Sequence, residues 1–139
     1  MFTTLFGQIG AAAMAAACIL ALASRGRAQV ITALIVAAAW IGSAALQDRA
    51  NTGPLYWVFA LDIAIAVVFV GLALWFRQAW LMWVAAFQLL TAATHVAVIV
   101  DLRIDVRAYI TAYTVWSYAL LLALAWGGID AFRARARRR

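Results

Sequence analysis

Five apolar stretches follow one another along this chain, at 2–24, 28–46, 55–76, 79–100 and 108–129, each close to the length of one membrane crossing. The hydrocarbon core of a bilayer is about 30 Å thick, which takes roughly 20 helical residues to cross. The breaks between the stretches are short: "RGR", "QDRANTGP", "RQ" and "DLRIDVR". Gly53-Pro54 is the clearest local breaker, because proline opens a helix and glycine permits the turn before it. Asp105 is placed to cap the fifth helix by accepting free backbone N–H groups. The sequence therefore predicts an all-α fold. It is a polytopic membrane helix bundle of five transmembrane helices, one domain over 1–139, with a basic cytoplasmic tail at 130–139. Composition agrees, since 69% of the residues are hydrophobic and 12% charged, where a soluble domain carries about 25% charged residues.

The first stretch contains Ala21-Leu22-Ala23, an A-x-A pattern, yet it does not read as a secretory signal. A signal peptide carries its positive charge before the apolar run. Here Arg25 and Arg27 come after it. The expectation is a retained first helix with its N-terminus outside. Arginine distribution supports that orientation. With five spans, Arg49, Arg103 and Arg107 fall on one side. Arg25, Arg27, Arg77 and the tail residues Arg133, Arg135, Arg137, Arg138 and Arg139 fall on the other. The arginine-rich side is cytoplasmic by the positive-inside rule. That puts the N-terminus out and the C-terminus in. Trp75, Trp80 and Trp126 are expected at the inner interface, and Tyr56, Trp57 and Tyr109 at the outer one. The setting expected is the bacterial inner (plasma) membrane.

The net charge of +6 is concentrated in the tail "RARARRR", directly after an apolar segment. That position suits anionic lipid headgroups. Nucleic acid is not an expected partner, because the chain has no soluble fold to carry a groove-reading element. Cys18, the single cysteine, lies among small residues in "AAAMAAACIL" and reads as a packing residue. Gly7, Ala11 and Ala15 recur at steps of four, a spacing that lets helices approach closely.

Two ionisable side chains fall well inside the apolar stretches, Asp62 in the third and His95 in the fourth. Such groups are costly in lipid and face protein or water. A turn at Arg77-Gln78 makes the two helices an antiparallel hairpin, and 62 and 95 are equidistant from its midpoint. At 1.5 Å per residue each lies roughly 9–11 Å from the far end of its helix. Gln88, Thr91 and His95 form one polar stripe on the fourth helix. Tyr113, Thr114 and Ser117 of the fifth come to a comparable level. The expectation is a polar pocket or proton relay built from Asp62, His95, Gln88, Thr91, Tyr113, Thr114 and Ser117.

Several chemistries fit such a pocket. The first is structural, a charge-assisted hydrogen bond that sets helix register. The second is proton or ion handling, since imidazole titrates near neutral pH. No cofactor is required; haem through His95 is the one candidate, and a bis-histidine site would need a second chain. Binding of a small ligand or lipid is the last. Enzyme chemistry is not expected, because no serine or cysteine is set beside the histidine as a nucleophile. Asp48 and Asp101, with Arg49 and Arg103 close by, read as solvated interfacial charges. The run "DLRIDVR" alternates charged and apolar residues, which suits a segment lying at the outer interface with Leu102, Ile104 and Val106 toward lipid, or a polar docking edge for a partner.

The stretch "FRQAWLMWVAAFQLLTAATHVAVIVD" resembles a family of small multi-pass bacterial inner-membrane proteins to which no activity is attached. In that pattern an aspartate-bearing helix is followed by a basic turn, a Trp-rich helix start and an "FQL…TH" helix. The resemblance covers the second half of the chain, from Asp62 onward, and Asp62, Gln88, Thr94 and His95 match it. It implies a membrane protein and brings no substrate with it. The functional expectation is a small non-enzymatic integral membrane protein, an accessory subunit of a larger membrane complex or a self-associating homo-oligomer. The alternative is a proton-coupled channel or transporter that uses Asp62 and His95.

Overall fold

In the computed structural model, which describes residues 5–49, 56–101 and 103–137, the chain folds into five helices: α1 (Leu5–Ala23), α2 (Arg27–Arg49), α3 (Tyr56–Phe76), α4 (Ala79–Val100) and α5 (Val106–Ala136). The described residues are all-α, with no strand among them. Gly53, Pro54, Leu102, Arg138 and Arg139 lie outside the described residues, as do the surroundings of Gly7 and the side chains of Asp48 and Arg49. Among the described residues three helices, α3, α4 and α5, are long and apolar enough to cross a membrane. The described apolar stretches of the first two, Gln8–Ala23 and Arg27–Ser43, are shorter.

The helices form a closed ring in which each packs on its sequence neighbours and α1 packs on α5. α5 also touches α2, whereas no backbone approach joins α3 to α5. Two of the connections are very tight and share one device. Arg25 and Arg77 both adopt left-handed backbone, with φ of 53° and 51°. In each case a residue after the helix satisfies a carbonyl that the helix leaves open: Arg25 N–H donates to Leu22 at 3.1 Å and Arg77 N–H to Ala73 at 2.9 Å. Glycine is the usual choice for this conformation. These turns and the end of α5 bring Arg25, Arg27, Arg77, Arg133, Arg135 and Arg137 to one end of the bundle, called the basic end below.

At the opposite end Asp105 is the N-cap of α5, and its side chain accepts from Arg107 N–H at 2.6 Å. Asp101 accepts from Arg103 N–H at 3.0 Å in the same loop. α5 runs well past the expected end at 129 and takes in most of the segment expected as a tail. From Asp130 to Ala136 the chain has no proline or glycine, and alanine and arginine favour helix. Arg133 and Arg135 also sit where the helix dipole favours positive charge.

Outward faces are apolar. Ile41, Val67, Leu74, Trp75 and Leu122 are all exposed. The buried set, by contrast, includes Ser24, Gln29, Thr32, Ser43, Asp62, Gln88, Thr91 and His95. Most of the core is apolar, from Phe69 and Leu81 to Leu124, so these polar groups are a minority sheltered inside it, the placement that a lipid solvent favours for them.

Packing depends on small residues at particular points. On α1 the inward positions are Gly10, Ala17, Cys18 and Ala21, while Ala15 is exposed. Of the expected Gly7, Ala11 and Ala15 row, Ala15 is exposed and Ala11 half-buried, so the buried face of α1 is centred on Ala17, Cys18 and Ala21 instead. Cys18 is buried as a packing residue, its thiol 3.6 Å from the Ala33 carbonyl. Gly128 lets α5 approach the backbone of α1: a Cβ there would stand 3.3 Å from the Leu20 carbonyl group. Gly127 leaves space that the Trp80 ring fills. Trp80 is thus buried, with its indole N–H donating to Gln78 at 2.6 Å, and is not the interfacial belt residue expected. Trp75 and Trp126 remain exposed. Gln29 on α2 donates to the Gly127 carbonyl at 3.1 Å, so one glycine serves two neighbouring helices.

Candidate functional site

Asp62 and His95 lie face to face across the α3–α4 hairpin. Oδ2 of Asp62 is 2.9 Å from Nε2 of His95, and both side chains are buried. The tight Arg77-Gln78 turn makes this possible, because it allows no slippage between the two helices. The other carboxylate oxygen accepts from the Gln88 amide at 3.0 Å, and the same amide lies 3.4 Å from the Asp62 main-chain carbonyl.

The second imidazole nitrogen, Nδ1, is 3.0 Å from the Tyr109 hydroxyl on α5. With Asp62 as a carboxylate, which only accepts, the ring proton belongs on Nε2 and the tyrosine donates to Nδ1. On a doubly protonated ring the same hydroxyl accepts from Nδ1–H instead. The contact survives either state. His95 also stands among three aromatic rings, those of Phe59, Tyr109 and Tyr113, with centroids 5.6 to 5.7 Å from its own.

The residues expected to line the pocket divide into two groups. Asp62, Gln88 and His95 touch one another, and Tyr113 packs on the imidazole edge-on. Thr91 is buried on the same stripe, but its hydroxyl returns to the Phe87 carbonyl at 3.0 Å. Thr114 and Ser117 do not join the network. Thr114 is exposed and bonded to Ile110 at 2.7 Å, and the Ser117 hydroxyl bonds to Tyr113 at 2.9 Å. In an apolar solvent a short hydroxyl does best on the carbonyl one turn back in its own helix. Thr94 does the same with Leu90 at 2.8 Å.

Tyr109 is the residue that sequence reasoning assigned elsewhere, to the aromatic belt. Its signal was available. Depth matching across the α4–α5 connection sets His95 opposite Thr111, midway between Tyr109 and Tyr113, which lie one turn apart on one face.

Both imidazole nitrogens are engaged, so ligation of a haem iron through His95 would require one of those bonds to break. Among the described residues no three His, Cys, Asp or Glu side chains gather as a metal site would need. At the basic end Arg133 and Arg137 are exposed, while the Arg135 guanidinium donates to the Ser24 carbonyl. That bond closes the C-terminus of α1, where a carbonyl is left open and the helix dipole favours a cation.

No protein-family profile matches the chain, and neither the curated proteins nor the solved structures contain a significant match to it.

Proposed function

We propose that this chain is a small non-enzymatic integral membrane protein of the bacterial inner membrane. It crosses five times with the N-terminus out and the C-terminus in, as an accessory subunit of a membrane complex or a self-associating bundle. The observation that carries this reading is the completeness of the polar network. Both oxygens of the Asp62 carboxylate and both nitrogens of His95 are paired within the chain. A site kept for a substrate or an ion would leave some of that capacity free. His95 is instead a tie that holds α3 to α5, two helices with no direct backbone approach.

The five-span topology draws support from the grouping of arginines at one end. α1 and α2 have 19 and 23 residues, about 28 and 34 Å at 1.5 Å per residue. These are lengths of one crossing each. The test is isolation in mild detergent, with co-purifying proteins identified by mass spectrometry and the assembly mass measured. A stable partner or a defined oligomer is expected, with proton flux of reconstituted vesicles unchanged by His95→Ala.

One observation favours a second reading, that of a proton-coupled channel or transporter. Tyr109, His95 and Asp62 form a continuous hydrogen-bonded chain from near the start of α5 into the bundle. Proton flux in vesicles holding this protein alone, abolished in His95→Ala, would establish that reading in place of the first.

A further inference from the structure

A groove of about 270 Å³ runs between α4 and α5 on the outside of the bundle, lined by Trp83, Phe87, Ala119, Leu122, Ala123 and Trp126. Its α4 wall is ordered by aromatic stacking. Trp83 and Phe87 have centroids 5.8 Å apart and are inclined by 29°, and Phe87 in turn stacks on Trp116 at 6.5 Å and 15°. No polar side chain lines it. The volume falls short of the roughly 300–1,000 Å³ of sites that enclose a compact ligand, and the groove is open toward the lipid side. A narrow, open, wholly apolar trough suits a single extended hydrocarbon chain.

Charge is set at the end of that trough. At 100° per residue, Ala119, Leu122, Trp126, Arg133 and Arg137 fall within about 60° of one another around α5. The stripe that lines the groove therefore continues into two exposed arginines. Arg135 points to the opposite side of the helix and is committed to the Ser24 carbonyl. Asp130 is half-buried at the edge of the stripe, one carboxylate against two guanidinium groups. Depth fits as well. From Arg133 back to Leu122 is 11 residues, about 16 Å, which matches one leaflet of a core about 30 Å thick.

The geometry points to a binding site for one diacyl phospholipid with an anionic headgroup, its phosphate held by Arg133 and Arg137 and one acyl chain laid in the Trp83–Phe87–Trp126 groove. This rests on the membrane reading given above and goes beyond it. General attraction of a basic tail to anionic lipid needs no groove, no register with one, and no particular arginine. A guanidinium meets two phosphate oxygens at once, which favours a fixed headgroup over a diffuse ion cloud.

The test uses the full chain in mild detergent, titrated with phosphatidylglycerol or phosphatidylcholine of identical acyl chains and read by native mass spectrometry. One phosphatidylglycerol should bind about tenfold more tightly than phosphatidylcholine, as two surface arginines allow. Arg133→Gln with Arg137→Gln should remove that preference, and Arg103→Gln with Arg107→Gln at the other end should leave it intact. Ala119→Leu, which narrows the groove, should weaken both lipids. A readout on the unaltered protein stands beside these. Phosphatidylglycerol brominated on its acyl chains should quench tryptophan fluorescence in vesicles more than brominated phosphatidylcholine at the same mole fraction.

Equal affinity for the two lipids overturns the site, as does an equal effect from the two arginine pairs. So does association of two copies through this face in place of lipid. Extraction of the protein from membranes by alkaline carbonate would remove the membrane reading and the site with it. Retention in the membrane without headgroup preference removes the site alone.

Discussion

The Trp80 ring lies over Gly127 in the space that a side chain at that position would fill. This contact joins the start of α4 to the last third of α5. The Gly127 carbonyl in turn accepts from Gln29 of α2. Three helices thus meet at one residue without a side chain. Gly127→Ala should therefore destabilise the bundle by about 1–3 kcal/mol, the usual cost of overpacking. Adding Trp80→Leu should recover part of the loss, because the smaller side chain vacates the space. Unfolding of both variants in mixed micelles measures this, and an unchanged double variant relative to the single would show that the clash lies elsewhere.

Asp62→Ala should leave the His95 N–H without its acceptor and the Gln88 amide with only the longer contact to the residue 62 main-chain carbonyl. A buried polar group stripped of its partner costs about 1–3 kcal/mol. His95→Ala should cost a similar amount from the carboxylate side. The double variant should cost less than the two single variants together. Coupling beyond the roughly 0.3–0.5 kcal/mol scatter of independent sites is the expected outcome; strict additivity would deny the contact.

Tyr109→Phe removes the group that faces Nδ1. Nitrogen-15 spectra of the single histidine should place the ring proton on Nε2 in the unaltered protein and retain it there in the variant, since the carboxylate still faces that atom. Stability should fall by about 1 kcal/mol, the net worth of one internal hydrogen bond. A ring proton on Nδ1 in the unaltered protein would reverse the donor assignments around His95.

At the α3–α4 turn, Arg77→Val should lower the unfolding midpoint, while Arg77→Gly should hold or raise it. A β-branched side chain is poorly tolerated in left-handed backbone, where the strain is about 1–2 kcal/mol per residue. Glycine adopts that conformation freely. A higher midpoint for Arg77→Val than for Arg77→Gly would mean that residue 77 does not keep its left-handed backbone.

Topology is open to labelling. On a Cys18→Ser background, single cysteines replacing Asn51 and Ile104 should react with an impermeant thiol reagent added outside intact cells. A cysteine replacing Ala136 should not. Reaction at that third position would overturn the five-span arrangement.

Helix number and much of the site could be read from the chain because both follow from one-dimensional rules. Apolar length locates helices, and a two-residue turn fixes which depths meet, so Asp62 and His95 are found by counting from Arg77-Gln78. Rotation about each helix axis is not given by counting. That is why Thr114 was expected inward and is exposed, and why Ala15 was expected on the packing face of α1 and is not. Trp80 escaped for a different reason. Tryptophan near a helix end usually marks the lipid interface, and only the space at Gly127, 47 residues on, permits it to turn inward. The long reach of α5 was hidden by its arginines, which signal a tail by charge while alanines between them sustain the helix.

The ring of helices closes through α1 and α5, and the bond from Arg135 to the Ser24 carbonyl joins residues 111 apart in the chain. α5 also supplies Tyr109 to His95 on α4 and the Gly127 carbonyl to Gln29 on α2. Without α5, the end of α1, Nδ1 of His95 and the Gln29 amide would each lose a partner. One helix thus turns a row of four into a ring, and damage to it would be felt on three others at once.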